Sequence, residues 1–215
     1  MIVEEIMQKQ VYTLKADDPI AKGWELCNLH HIRHFPVVDE DMKVIGIVSD
    51  RDLRDASPSI LHDCGRQQEE LEKPVSTVMT RDVITGHPLD FVEEISATFF
   101  EEDIGCMPIT RDQKLVGIVT ETDLLNTFVM LTGANQPGSQ LEVKVPNQAG
   151  ILAEVTSVIG RHKVNVSSVL VYPGKTDDYK ILVFRVQTIN PMNIIRDLKG
   201  EGYEVLWPNL PGVSS

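Results

Sequence analysis

The sequence is poor in cysteine and has no long apolar run. Its 215 residues include only Cys27, Cys64 and Cys106, an odd and widely spaced set that builds neither a disulfide framework nor a Cys-x-x-Cys zinc site. We therefore expect reduced thiols packed as small hydrophobic groups. No run approaches the roughly 20 apolar residues that a bilayer crossing needs, and the first ten residues carry two acids where a secretory signal carries basic residues. These features predict a cytoplasmic protein without a membrane partner.

Positive charge is scarce as well. The chain has 20 Lys and Arg against 32 Asp and Glu, for a formal net charge of -12. Because a phosphate backbone repels such a chain, no nucleic-acid partner is expected. The hydrophobic fraction of 42% is ordinary for a globular protein, and the length favours two compact cores.

Sequence motifs of catalysis are missing too. The chain has no GxGxxG, P-loop, GxSxG or HExxH, so an enzyme is disfavoured. His30 and His34 have the i,i+4 spacing of helical metal ligands. Pro36 indicates, however, that the helix is already ending there, and no metal site is predicted.

An internal repeat is the strongest positive signal. The segment GIVSDRDL at 46–53 returns as GIVTETDL at 117–124, and an offset of 72 aligns Met7 with Met79 and Pro36 with Pro108. Each unit is predicted to be a strand (11–14 and 83–86), a helix, two strands and a second helix. Asp18, before Pro19, and Asp90 are predicted helix-start residues. Since a unit of about 55 residues is marginal alone, we expect a pseudo-twofold pair with two equivalent clefts.

This order and the doubled Gly-Ile-Val ending resemble a pair of CBS motifs, the adenosine-binding module. The predicted fold class is α+β, with β-α-β-β-α motifs at 1–56 and 74–132 separated by a polar segment at 57–73. The resemblance implies no required cofactor and one regulatory ligand that contains adenosine: AMP, ADP, ATP or S-adenosylmethionine. It also implies that Asp52 and Asp123 hold the ribose.

The resemblance also implies that the hydroxyls of Ser49 and Thr120 face the sugar or the phosphate of the ligand. Serine and threonine at such positions are also ordinary helix N-caps, and the two roles can coexist. The resemblance further implies an adenine pocket with walls from both repeats: Val11, Tyr12, Thr13, Phe35, Pro36, Val37, Val83, Ile84, Thr85, Met107, Pro108 and Ile109.

Basic residues distinguish the two repeats. The first repeat offers Arg33, His34, Arg51 and Arg54 for phosphate binding. The positions aligned with the first three are Gly105, Cys106 and Thr122, so we expect a phosphate tail to lie toward the first repeat. The alternative is that these are ordinary surface arginines on an acidic protein.

The pattern changes after a Gly- and Pro-containing linker at 133–138. Residues 139–215 are predicted to be a ferredoxin-like βαββαβ domain and resemble an ACT domain. The predicted ligand loop, Asn147, Gly150, Ile151 and Leu152, departs from the D-x-P-G-x-L pattern of that family at Asn147 and Ala149. An amino acid bound at this loop and pure assembly into a homodimer are both open.

The domain order and three sequence segments resemble the acetoin-utilisation family of bacteria. These segments are HIRHFPVVD, HPLDFVEEISA and LTGANQPGSQ. The resemblance implies a non-catalytic role in acetoin or butanediol catabolism, and in growth and sporulation on these carbon sources. It also implies an unidentified protein partner of carbon metabolism. The alternatives are a structural adaptor with vestigial CBS clefts that dimerises through ACT and, less favoured, an enzyme of acetoin breakdown.

Overall fold

The computed structural model describes residues 1–56 and 69–208. The chain divides into two compact units, residues 1–125 and 126–215, which we call the N-terminal and C-terminal units. Most of the predicted polar segment 57–73, Cys64 and the last seven residues lie outside the described residues. No described helix has both the length and the apolar character needed to cross a membrane.

The first repeat contains two helices and one hairpin. Its elements are a 3-10 turn at Val3–Glu5, α1 at Ile20–His30, β1 at His34–Val38, β2 at Val44–Ser49 and α2 at Asp50–Ala56. The second repeat follows the same order, with a 3-10 turn at Val75–Thr77, α3 at Val92–Glu101, β3 at Cys106–Arg111, β4 at Lys114–Thr120 and α4 at Glu121–Thr132.

The first predicted strand of each repeat is shorter than expected. Residues 11–14 contribute one parallel bridge, from Leu14 to Val37, and residues 83–86 contribute the equivalent bridge from Gly86 to Ile109. Leu14 is 1% exposed, whereas Val11, Tyr12 and Thr13 are half-buried. Only the end of the segment therefore joins the hairpin, and the preceding residues are left at the surface of a cleft.

The expected helix-start residues have another role. Helix α1 begins at Ile20 after Pro19, which makes no side-chain cap, so the prediction that Asp18 caps this helix is wrong. Asp18 Oδ2 accepts a hydrogen bond from the Lys15 amide at 2.7 Å, and Asp90 Oδ2 accepts one from the His87 amide at 2.7 Å. Both carboxylates thus close the turn that precedes the helix.

Backbone bridges between the repeats follow a pseudo-twofold relation. Ile2 pairs with Phe91 as Pro74 pairs with Pro19, and Gln8 pairs with Ile118 as Thr80 pairs with Ile47. Lys43 pairs with Lys114, its own counterpart at an offset of 71. The repeats therefore pack as two halves of one unit.

The segment that opens each repeat packs in the core of the other. Val3 and Met7 lie in the second repeat's core with Ile95 and Phe99, and Val75 and Met79 lie in the first repeat's core. The hairpin glycines make room for the methionines: a Cβ on Gly46 would come 2.5 Å from Met79 Sδ, and one on Gly117 would come 2.6 Å from Met7 Sδ. As a result, residues of both repeats meet at each cleft.

The C-terminal unit has the expected βαββαβ order. Its elements are β5 at Ser139–Pro146, α5 at Ile151–Arg161, β6 at Val166–Pro173, β7 at Tyr179–Val186, α6 at Met192–Gly200 and β8 at Glu204–Trp207. The antiparallel sheet runs β6-β7-β5-β8, which confirms a ferredoxin-like plait. Apolar residues of both helices and of β5 and β7 form one core, and β6 is an edge strand.

Candidate functional site

Two clefts in the N-terminal unit are related by the pseudo-twofold relation. Cleft A, about 490 Å³, is lined by Ser49 and Asp52 of the first repeat and by residues 80 and 82–84 of the second. Cleft B, about 320 Å³, is lined by Thr120 and Asp123 of the second repeat and by residues 8 and 10–12 of the first. Each cleft thus combines the motif of one repeat with the opening segment of the other.

The motif residues form a reciprocal cap at the start of a helix. In cleft A, Asp52 Oδ2 accepts from the Ser49 amide and hydroxyl, both at 2.7 Å, and the Asp52 amide donates to Ser49 Oγ at 3.2 Å. Within the described part of the chain, Asp52 Oδ1 receives no hydrogen bond. The capping interpretation is therefore realised at Ser49, and one carboxylate oxygen remains for a ligand.

The second motif has the same cap but a more enclosed carboxylate. Asp123 Oδ2 accepts from the Thr120 amide at 2.9 Å and from its hydroxyl at 2.6 Å. In addition, Gln8 Nε2 donates to Asp123 Oδ1 at 2.9 Å, and Asp123 is 9% exposed. Both oxygens of this carboxylate therefore have donors.

The residues expected to surround the adenine base divide into two groups. Val11 and Tyr12 line cleft B, and Val83 and Ile84 line cleft A. The residues expected from the hairpin strands do not line either cleft and are buried: Phe35, Pro36, Val37, Met107, Pro108 and Ile109. Thr13 and Thr85 also lie outside both linings.

Besides the expected Ile84, four isoleucines that the sequence interpretation did not name line the clefts. Ile47 and Ile104 line cleft A, and Ile32 and Ile118 line cleft B. The repeat alignment pairs Ile32 with Ile104 and Ile47 with Ile118, so their recurrence was a usable signal. Their role in a cleft was hidden because an apolar residue beside a strand is ordinarily assigned to the core.

Of the four expected phosphate ligands, three line a cleft. Arg33 and His34 line both clefts, and Arg51 lines cleft A. Arg54 lines neither, and its Nη2 forms an ion pair with Asp50 Oδ2 at 2.6 Å. Besides the expected Asp52, cleft A is lined by four carboxylates that sequence reasoning missed: Asp50, Asp82, Asp103 and Glu121. Cleft A is therefore formally acidic, whereas Arg33 balances Asp123 in cleft B.

Burial shifts the pKa values of His34, which lines both clefts, and of Cys106, which lines cleft A, toward their neutral forms. Burial, reinforced by the Arg33 guanidinium, lowers the pKa of His34 from its ordinary value of 6.5. Burial raises the pKa of Cys106 to about 12, with Glu121 adding to the effect, so this thiol is a poor nucleophile at neutral pH. A Cβ on Gly105 would approach His34 Nε2 to 3.1 Å, and the glycine thus makes room for the imidazole.

His30 and His34 do not share a helix. His30 is the last residue of α1 and its ring stacks on Tyr12 at 4.0 Å, whereas His34 begins β1. Within residues 1–56 and 69–208, no group of three or more His, Cys, Asp or Glu is arranged to hold a metal.

The loop expected to bind an amino acid is anchored to its own unit. Asn147 donates from Nδ2 to the Asp177 carbonyl at 2.9 Å and from its amide to the Asp178 carbonyl at 2.8 Å. Gly150 has φ of 88°, a conformation that favours glycine. Ile151 is buried in the core, and Leu152 is 40% exposed. The side chain of Ile151, which was expected to contact a ligand, is thus part of the core.

Family comparisons match both units. The CBS domain model matches residues 3–59 and 75–129, and the ACT domain model matches residues 139–202. The opening 3-10 turns and the motifs that line both clefts lie inside the CBS matches.

Curated relatives share the N-terminal pattern in different contexts. A CBS domain-containing protein of Dictyostelium discoideum is 29% identical over 65% of this chain and 99% of its own length. L-aspartate semialdehyde sulfurtransferase of Methanocaldococcus jannaschii is 28% identical over 59% of this chain. The match spans only 23% of that enzyme, so it does not carry the enzyme's activity.

Two solved structures are similar over most of their length. A proposed acetoin utilization protein (AcuB) from Vibrio cholerae has a TM-score of 0.55 and 29% identity, covering 63% of this chain and 96% of its own. The CBS domain pair of protein MJ0100, crystallised with 5'-methylthioadenosine and S-adenosyl-L-methionine, has a TM-score of 0.52 and 28% identity. That match covers 63% of this chain and 98% of the other.

Proposed function

Because the chain belongs to the CBS domain family and carries a C-terminal ACT domain, we propose that it is a non-catalytic regulatory protein that binds an adenosine-containing ligand. The observation that carries the proposal is the composition of the two clefts. Each has a hydroxyl and a carboxylate at a helix start, opposite apolar residues from the other repeat. The ligands in the MJ0100 structure support adenosine as the shared moiety.

The cleft supplies separate partners for ribose and base. Asp52 Oδ1 can accept from the two vicinal ribose hydroxyls, and hydrogen bonds to a charged group contribute roughly 1.5 to 3 kcal/mol each. Val83, Ile84 and Ile104 offer an apolar surface for adenine. A deoxyribose ligand is expected to bind more weakly because it loses one of these hydroxyls.

The charge of cleft A favours some adenosine ligands over others. Arg33 and Arg51 can balance one phosphate, but the five carboxylates in the same lining oppose a chain of three. In this proposal AMP and S-adenosylmethionine bind more tightly than ATP. The sulfonium and ammonium groups of S-adenosylmethionine are attracted by the same carboxylates.

The physiological role we propose is in acetoin or butanediol catabolism, with effects on growth and sporulation on these carbon sources. The likeness to the proposed acetoin utilization protein of Vibrio cholerae supports this role. Ligand at about 100 times its dissociation constant would stabilise the binding conformation by roughly 2.7 kcal/mol, enough to shift a balanced equilibrium. The regulated partner would be a protein of carbon metabolism.

The proposed assembly is a homodimer joined through the C-terminal unit. Strand β6 is an edge of its sheet, and no other strand in the described part of the chain pairs with its outer side. Val169 and Val171 on this strand are 38% and 47% exposed. Natural proteins rarely leave an apolar edge strand uncovered. Pairing with β6 of a second copy of the chain would cover this edge in both copies.

Calorimetric titration of the full chain with AMP, ADP, ATP and S-adenosylmethionine tests the proposal. Asp52→Asn keeps an oxygen for the Ser49 cap but replaces the second carboxylate oxygen, and it is expected to weaken binding in cleft A roughly 10- to 100-fold. Asp41→Asn is the control, because it removes the same charge from an exposed turn residue outside both clefts. No heat and no thermal shift with any of the four would reject ligand binding in favour of the adaptor.

A further inference from the structure

The two clefts differ at one pair of aligned positions that faces the ribose-binding carboxylate. Gln8 in the first repeat aligns with Thr80 in the second, and their backbones are held alike: Gln8 exchanges hydrogen bonds with Ile118 at 2.9 and 3.0 Å, and Thr80 with Ile47 at 2.9 Å each. The difference is therefore confined to the side chain. Gln8 reaches Asp123 Oδ1 at 2.9 Å, whereas no described donor reaches Asp52 Oδ1.

We infer that Gln8 is an internal competitor for ribose in cleft B, so that the two clefts fill in order, cleft A before cleft B. This inference rests on the proposed function. In cleft A a ribose meets the Asp52 Oδ1 oxygen, to which none of the described residues donates a hydrogen bond. In cleft B the side-chain amide of Gln8 already donates to Asp123 Oδ1, and the ribose must displace it.

The surroundings of Asp123 increase the cost of that displacement. Its second oxygen holds the Thr120 amide and hydroxyl, so it cannot serve the ribose without breaking the helix cap. Asp123 is 9% exposed, which limits how far water can replace the lost amide donor. Cleft B is also smaller, at about 320 Å³ against about 490 Å³. The ordered filling would let one chain respond over two ranges of ligand concentration.

Exchanging the two side chains tests the inference. Full-length wild type titrated with AMP, and separately with S-adenosylmethionine, is expected to show two sites that differ at least tenfold in affinity. Asp52→Asn should weaken the tighter site roughly 10- to 100-fold, and Asp123→Asn should weaken the other. Gln8→Thr should tighten the weaker site about tenfold, and Thr80→Gln should weaken the tighter one. Gln8→Met keeps the length of the side chain but removes the hydrogen-bond donor, and it should tighten the weaker site as Gln8→Thr does. Agreement between the two variants would show that the change in affinity does not come from a folding defect in one of them.

The outcomes separate this inference from the proposed function. Two sites of equal affinity in the wild type would overturn the ordered filling and leave ligand binding intact. So would a weaker site that stays unchanged in both Gln8 variants, or a single wild-type site that depends on Asp123. A single site that depends on Asp52, with a second site gained in Gln8→Thr, supports the inference. Absence of binding by AMP, ADP, ATP and S-adenosylmethionine overturns both proposals.

Discussion

His34 shows how one residue can serve two sites. It lines both clefts, and its counterpart in the second repeat is Cys106, a smaller residue whose thiol is kept protonated by burial. Because Gly105 leaves space for the imidazole, a single neutral ring lies where the two ligands would come closest. The pseudo-twofold relation between the repeats is therefore broken at a position that borders both clefts.

The state of His34 predicts a pH effect on stability. Its pKa is lowered in the folded protein by burial and by Arg33, so the unfolded chain binds more protons below about pH 6.5. Stability is expected to fall as the pH decreases through that value toward the lower folded pKa. Thermal unfolding at pH 7.5 and 5.5 should show a smaller drop in Tm for His34→Gln than for the wild type.

His87→Gln is the control for that comparison, since His87 is exposed and lines neither cleft. It should keep the wild-type drop in Tm. Equal drops in all three proteins would contradict the role assigned to the burial of His34.

At the scale of elements, each hairpin depends on a glycine facing a methionine of the other repeat. In Gly117→Ala the new Cβ would meet Met7 Sδ at 2.6 Å and the Gln8 carbonyl at 3.2 Å, and overpacking of this kind costs typically about 1 to 3 kcal/mol. Gly160→Ala in α5 is the matched change, because nothing lies within 4 Å of its Cβ. That change should stabilise by up to about 1 kcal/mol.

Urea unfolding followed by tryptophan fluorescence can assign each effect to its unit. The two tryptophans of the chain, Trp24 and Trp207, lie one in each unit, so Trp24→Phe and Trp207→Phe backgrounds report the units separately. Gly117→Ala should lower the midpoint reported by Trp24, and Gly160→Ala should raise that reported by Trp207. A Gly117→Ala protein as stable as its parent would argue against the tight approach of Met7.

At the scale of the whole molecule, the chain combines a large negative charge with an exposed apolar edge. The charge of -12 opposes non-specific association, so a dimer needs a defined contact. Val171→Lys places a charge on β6, the usual natural protection of an edge strand. Light scattering after gel filtration should show a dimer for the wild type and a larger monomer fraction for this variant.

Ile189→Lys adds the same charge in the same unit at a residue that is 91% exposed and lies outside β6. It should leave the dimer intact. A monomeric wild type, or a Val171→Lys protein that remains as dimeric as the wild type, would reject assembly through β6.

Local signals predicted most of the fold. The repeated Gly-Ile-Val motif placed Ser49, Asp52, Thr120 and Asp123 at helix starts, and alternating residues indicated the strands of the C-terminal unit. The shortened first strands and the role of Asp18 were missed, because both depend on which backbone groups happen to lie nearest in the folded chain. Phe35 and Val37, expected near the adenine, are buried and line neither cleft, and an apolar strand has the same sequence pattern in a core and beside a cleft.

The sequence by itself determined the existence of two related motifs, the net negative charge of the chain and the change to a second domain. These features depend on the spacing and composition of residues that lie close together in the chain, so they can be predicted without knowing how the chain packs. Only the tertiary structure decided that each cleft joins the motif of one repeat to the opening segment of the other. It alone brought Gln8 to Asp123, 115 residues away, because contacts at that separation depend on how the two repeats pack.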